Sequence, residues 1–236
     1  MDRFYFPPWV NKFTLMVLAG LGGGGAYAGA MLAFGTWPEV MNTGYMPEQP
    51  VPFSHKLHAG ELKMDCRYCH NTVDVAAHAA VPSNNVCTNC HSGLGADGAV
   101  VKTAVHPKSI KLQKVRDSQA TGEPVEWERI HDLADYVYFN HSVHINKGVS
   151  CVECHGRIDK MEVVYQAEPL SMSWCLECHR NPTGRLRPAD EITNLAWTWE
   201  DDFETYDQYV NAMQEEYGGE KSGPYKASTN CSTCHR

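Results

Sequence analysis

The sequence predicts a mostly irregular chain with short α-helices, preceded by one long apolar helix near the N-terminus. Three observations carry this expectation. Residues 13–35 hold no charged side chain, all ten cysteines fall into C-x-x-C pairs of the length of one helical turn, and alternating strand patterns are sparse.

The apolar run "FTLMVLAGLGGGGAYAGAMLAFG" has 23 residues. At a helical rise of 1.5 Å it spans roughly 34 Å, enough for a bilayer core of about 30 Å, so it reads as one transmembrane helix. "AYA" at 26–28 resembles a signal-peptide cleavage site, but the apolar run exceeds a usual signal core and is expected to be retained. Arg3 and Lys12 precede it and Glu39 and Glu48 follow it. The positive-inside rule then leaves residues 1–12 in the cytoplasm and the rest outside, in the periplasm of a bacterial inner membrane. Gly20, Gly24 and Ala28 recur every fourth residue, with Gly25 and Gly29 beside them. Such a face lets another membrane helix approach closely.

Residues 36–52 are dotted with proline and lack periodicity, so they read as a linker. Beyond them the cysteine pairs are Cys66/Cys69, Cys87/Cys90, Cys151/Cys154, Cys175/Cys178 and Cys231/Cys234, and each is followed at once by histidine: His70, His91, His155, His179 and His235. Histidine is 12 of 236 residues, so the chance odds of this are about 3 in ten million.

C-x-x-C-H is the attachment signature of c-type haem. Two thiols add to the porphyrin vinyls, and the adjacent imidazole binds the iron from one face. A four-cysteine zinc site consumes pairs two at a time, and five pairs leave one over. A dithiol or a disulfide framework leaves the histidine unexplained. The chain therefore reads as a multihaem cytochrome c packed around five covalently bound haem c groups. Residues 53–236 supply about 37 residues per haem, so the porphyrins are expected to form much of the core.

Each motif offers an iron only one ligand, and "FSHKLH" and "FNHSVH" offer the second. His55, His58, His141 and His144 come in two pairs three residues apart. Such neighbours sit at different heights along a helical turn, so each pair is expected to serve two different irons. An internal repeat agrees: Phe53–His91 and Phe139–His179 each hold one histidine pair and two motifs, 21 and 24 residues apart. For the fifth iron, His131 is the first candidate. His78, His106 and the thioethers of Met172 and Met161 are the others, and methionine ligation would raise the potential.

The organisation expected is residues 53–115 as dihaem module one, 116–190 as dihaem module two with a preceding segment, and 191–236 as a helical spacer and fifth haem. Two further helices are expected, near 128–140 and over 201–217. In the second, Phe203, Tyr206, Val210, Met213 and Tyr217 recur at helical spacing, with Gly218 and Gly219 as the stop. It is expected to pack beside the fifth haem. The net charge of −8 argues against nucleic acid and says little else about partners.

Irons with two protein ligands favour electron transfer over substrate chemistry, and no catalytic residue is assigned. A pentahaem nitrite reductase would carry lysine in place of one proximal histidine, whereas all five motifs here end in histidine. The apolar helix, the five motifs, the string "DYVYFNHSVHINKGVSCVECHGRIDKMEVVYQAEPLSMSWCLECHRNP" and the terminal "CSTCHR" resemble the pentahaem cytochrome c subunit of alternative complex III. The resemblance covers most of residues 10–236 and is strongest at 126–182. It implies a wire that takes electrons from an iron–sulfur protein in a quinol-oxidising respiratory complex and passes them to a periplasmic carrier or terminal oxidase. Polytopic quinol-binding subunits and a monohaem cytochrome c would be the other neighbours. The alternative is a membrane-anchored multihaem quinol dehydrogenase of the kind that feeds periplasmic reductases, in which the first haem follows the helix more closely than the 30 residues found here.

Overall fold

A computed structural model describes residues 6–35, 37, 42–92, 104–218 and 226–235. Arg3 and Glu39, two of the charges used to orient the apolar helix, and the stop-signal Gly219 lie outside the described residues. The chain divides into two units, residues 1–43 and 44–236.

The first unit is built on helix α1, Trp9–Gly35. It begins directly after Pro7 and Pro8, where proline's fixed φ suits a helix start, and the Val10 amide donates to the Pro7 carbonyl. Its 27 residues include Lys12 and extend the expected span by one turn at the N-terminal end. The helix is long and apolar enough to cross a membrane, and its side chains are uncovered along its length.

In the second unit, short helices alternate with irregular chain. They are α2 (Cys66–Cys69), α3 (Asn84–His91), α4 (Gln113–Thr121), α5 (His141–Ile145), α6 (Val152–His155), α7 (Met172–Arg180), α8 (Tyr206–Tyr217) and α9 (Cys231–Cys234). A π-helical turn covers Lys56–Glu61, and 3-10 turns cover Ile110–Leu112, Ile158–Lys160, Thr183–Arg185 and Trp199–Asp201. Among the described residues there is no strand, only an isolated antiparallel bridge between Val149 and Leu186.

Two of the helices that carry cysteine motifs start at a side-chain cap. Asp65 accepts from the Arg67 amide ahead of α2, and Ser171 accepts from the Trp174 amide ahead of α7. Asn140 does the same for Ser142 ahead of α5.

The apolar core of this unit is small. Leu186, Trp197, Tyr209, Met213 and Tyr217 form it, with Val149, Trp199 and Phe203 against them. Helix α8 supplies three of the five, and its polar tips are tied down: Tyr209 donates through its hydroxyl to the Thr183 and Leu186 carbonyls, and Tyr217 to the Arg187 carbonyl. Tyr217 lies over Gly148, whose φ of +82° and lack of a side chain allow that approach.

Three expectations are revised. Residues 128–140 are irregular rather than helical, because their backbone groups bond outward. Gln49 brackets Glu128 through both side-chain amide atoms, Tyr138 donates to the Cys234 carbonyl, and the Tyr136 carbonyl faces the His235 ring. Helix α8 starts at Tyr206 and buries Tyr209 where the pattern pointed to Tyr206, which is half exposed; it packs on the chain following α7. Residues 44–52 belong to the second unit. Gly44 donates to the Gln166 carbonyl, Gln166 donates to the Tyr45 carbonyl, and Val51 is buried.

Candidate haem sites

Each C-x-x-C-H motif occupies about one helical turn, which puts the two cysteines on the same face and the histidine next to them. His70, His155 and His235 continue the turn, their amides donating to the carbonyls of Cys66, Cys151 and Cys231.

The two F-x-H-x-x-H segments fold into one local structure. The Phe53 ring meets His55 edge-on at 4.8 Å and stacks on His58 at 4.3 Å; Phe139 meets His141 at 4.8 Å and stacks on His144 at 4.4 Å. The second ring of each pair donates through Nδ1 to the carbonyl four residues earlier, His58 to Ser54 and His144 to Asn140. The phenylalanine therefore wedges the two imidazoles apart and orients both. Sequence reasoning had assigned it no task.

The paired histidines then face those of the motifs. Ring centres are 6.3 Å apart for His58 and His91, 6.1 Å for His144 and His179, and 6.4 Å for His141 and His155, whose planes are 9° from parallel. Two imidazoles on opposite sides of one metal, with bonds of about 2.0 Å, hold their ring centres roughly 6 Å apart. His55 feels the charge of His70 more strongly than that of its sequence neighbour His58.

The remaining nitrogens support the same fit. Nδ1 of His70 lies 3.0 Å from the Ala80 carbonyl, that of His91 2.6 Å from Val105, that of His141 2.9 Å from Ala77, that of His179 2.6 Å from Ser228 and that of His235 3.1 Å from Tyr136. An imidazole that gives its Nδ1 proton to a carbonyl presents Nε2 as a lone pair, the tautomer an iron requires. The carbonyls come from irregular connections, and no sequence pattern marked them.

Burial disfavours the charged form of four of the site histidines. It pushes His55 down to about 4, with His70 and His58 adding to the effect, and His155 down to about 3, with His131 and His141 adding. His131 and His144 are lowered for the same first reason. Nδ1 of His55, Nδ1 of His155 and Nε2 of His131 are buried without a hydrogen-bond partner. Buried polar atoms without a partner are uncommon, and of these three Nε2 of His131 is the ring atom that the other site histidines leave free for a metal. The donor set fits haem.

His131, expected near the fifth motif, lies against His155 at 4.3 Å. His235 has the Tyr136 ring beside it at 5.6 Å. Met161 is buried, Met172 is exposed, and His106 sits on backbone of positive φ.

The sulfur atoms are free thiols that stand in for the thioethers of an attached porphyrin. Cys66 and Cys151 come from different modules, and the influence of Cys66, with burial adding to it, pushes Cys151 upward. Burial alone is the largest influence on Cys154, pushed up to about 12.

Two comparisons bear on these sites. Over 127 residues the chain is 33% identical to the multihaem cytochrome c subunit of menaquinone reductase from Nitratidesulfovibrio vulgaris, an alignment covering 52% of this chain and 53% of that protein. The chain thus spans about half the length of that relative. The family described as cytochrome c7 and related cytochrome c matches residues 51–115 and 137–236, a region that contains all five motifs. This is a multihaem cytochrome that holds haem c covalently through C-x-x-C-H motifs, and the chain belongs to the family of cytochrome c7 and related cytochromes c.

Proposed function

We propose that the chain is a membrane-anchored pentahaem electron-transfer subunit of a quinol-linked respiratory complex. The observation that carries this is the facing of imidazoles in pairs at 6.1–6.4 Å. Iron held on both faces has no vacant position for substrate, and what haem supplies when bound is one-electron reduction and reoxidation.

All five motifs attach a haem on this reading. The axial pairs are His55 with His70, His58 with His91, His141 with His155 and His144 with His179. His235 holds the fifth iron, and His131, whose ring packs against His155 of motif three, is the candidate for its other face. The protein's part is to fix tautomers through backbone carbonyls and, at His55, His131, His144 and His155, to disfavour the charged ring by burial.

Helix α1 anchors the chain in an inner membrane, with the haem-bearing unit on the periplasmic side. The relative's name supports a link to the quinone pool. The sequence resemblance supports the finer assignment to alternative complex III, with an iron–sulfur protein, polytopic quinol-binding subunits and a monohaem cytochrome c as partners. Electrons then come from the iron–sulfur protein and leave for a periplasmic carrier or oxidase. A second reading reverses the flow, because that relative is named for menaquinone reduction.

Mild detergent purification through a tag on this chain tests the proposal. Partner subunits should co-purify, and quinol should reduce the haems only in the assembly. A solitary chain reduced directly by quinol would instead identify a quinol dehydrogenase.

A further inference from the structure

The order of the motifs in space differs from their order in sequence. Motifs one and two are neighbours because one turn carries both His55 and His58, and the Asn89 amide of motif two donates to the Tyr68 hydroxyl of motif one at 3.3 Å. Motifs three and four are neighbours because α5, only five residues long, carries both His141, which faces His155, and His144, which faces His179.

The modules join around motifs one and three: the His141 and Ser142 amides of α5 donate to the Ala77 and Ala76 carbonyls that follow motif one, and the Lys56 amide donates to the Met161 carbonyl that follows motif three. At that joint the His141 ring is held by the Ala77 carbonyl, and Gly60 leaves room for the Asp159 carbonyl that a side chain would strike. Motif five attaches to motif four: Nδ1 of His179 bonds the Ser228 carbonyl at 2.6 Å, and the Ser228 hydroxyl bonds Thr233 inside motif five at 2.8 Å.

We infer that the five haems form a single row in the order two, one, three, four, five, with motifs two and five at its ends. The exposed cysteines agree: among the ten, Cys90 of motif two and Cys231 of motif five are exposed, and the other eight are at least partly covered. Donor and acceptor therefore dock at opposite ends, one over Cys90 and one over Cys231. One electron arrives from a reduced partner at one end and one is delivered to an oxidised one-electron carrier at the other, so the chain returns to its starting state.

This inference rests on the proposed electron-transfer role, and a density map of the tagged holo-complex tests it separately. Five irons traced to their motifs should show nearest neighbours two–one, one–three, three–four and four–five. A nearest iron to motif five that belongs to motif one or two would overturn the order, even if quinol reduction stood. Kinetics provide a second readout. When a small one-electron reductant is tethered by a short crosslinker to a cysteine introduced beside motif five, deletion of haem two by C87A/C90A should leave four haems reduced in the fast phase. Deletion of haem three by C151A/C154A should leave two. Four fast haems in the second variant would also overturn the row. Should C151A/C154A fail to fold, the map decides alone.

Discussion

The imidazoles of His141 and His155 face each other at 6.4 Å with planes 9° from parallel, although fourteen positions separate them in the chain. That relationship requires three things at once: the Asn140 cap that starts α5, the Ala77 carbonyl that holds Nδ1 of His141, and the turn that ends in His155. Removing His141 opens one iron. His141→Ala should bind one more carbon monoxide per chain in the reduced state than the parent protein, with the haem count unchanged. His141→Met should instead raise one redox wave by on the order of 100 mV. A titration showing no added gas binding would refute the pairing.

The phenylalanine wedge makes a symmetrical prediction. Phe53→Leu and Phe139→Leu each lose an edge contact and a stacking contact with histidine, worth about 1–2 kcal/mol together. Both variants should show lowered melting temperatures of similar size. A cost confined to one module would mean that the two segments are alike in geometry but not in role.

Much of the site was legible from residue spacing. Pairs of histidines three apart are expected to serve different irons, and the rings of His141 and His144 face those of His155 and His179, while that of His58 faces His91. What escaped was whatever the backbone does at long range. Residues 128–140 carry a plausible helical pattern, yet their amides and carbonyls are taken by Gln49, Cys234 and His235, contacts that no local period encodes. Tyr209 stands outside the pattern because Tyr206 and Val210 fill the three- and four-residue spacing around it, while two carbonyls allow its hydroxyl to be buried.

The joint between the modules predicts a steric result. Gly60→Ala should destabilise the haem-bearing unit by about 2 kcal/mol or more, since the new methyl meets backbone of the 158–160 turn that cannot swing aside. Gly122→Ala is the control: it also adds a methyl, into open space at a φ of +80°, and should cost about 1 kcal/mol from backbone strain alone. Chemical denaturation of both variants compares them.

Arg187 is nearly buried, with its guanidinium 5.3 Å over the centre of Trp197 and 3.9 Å from Glu153. Burial lowers the arginine and raises the carboxylate, so each relies on the other to stay charged. Arg187→Met should cost about 2–4 kcal/mol, because it strands Glu153 as well as removing the cation from the ring. Pairing it with Glu153→Gln should recover part of the loss, as a double-mutant cycle would show.

Asp65 gives the acid limb a definite sign. The Arg67 side chain, its amide and the Thr193 hydroxyl hold the carboxyl at about 2. Its stabilisation is therefore complete above the ordinary carboxylate value near 4 and disappears as pH falls towards 2. Because the pair is solvent-exposed, the effect is at most about 1 kcal/mol. Asp65→Asn should lower stability at pH 7 and leave it unchanged at pH 2, measured by thermal melts across that range.

Low-temperature electron paramagnetic resonance of the fully oxidised, full-length chain, integrated against its protein concentration, bears most directly on the whole account. Five covalent haems with protein ligands on both faces predict low-spin ferric signals summing to five spins per chain. A sum below five, or one iron or more in a high-spin signal, would contradict it.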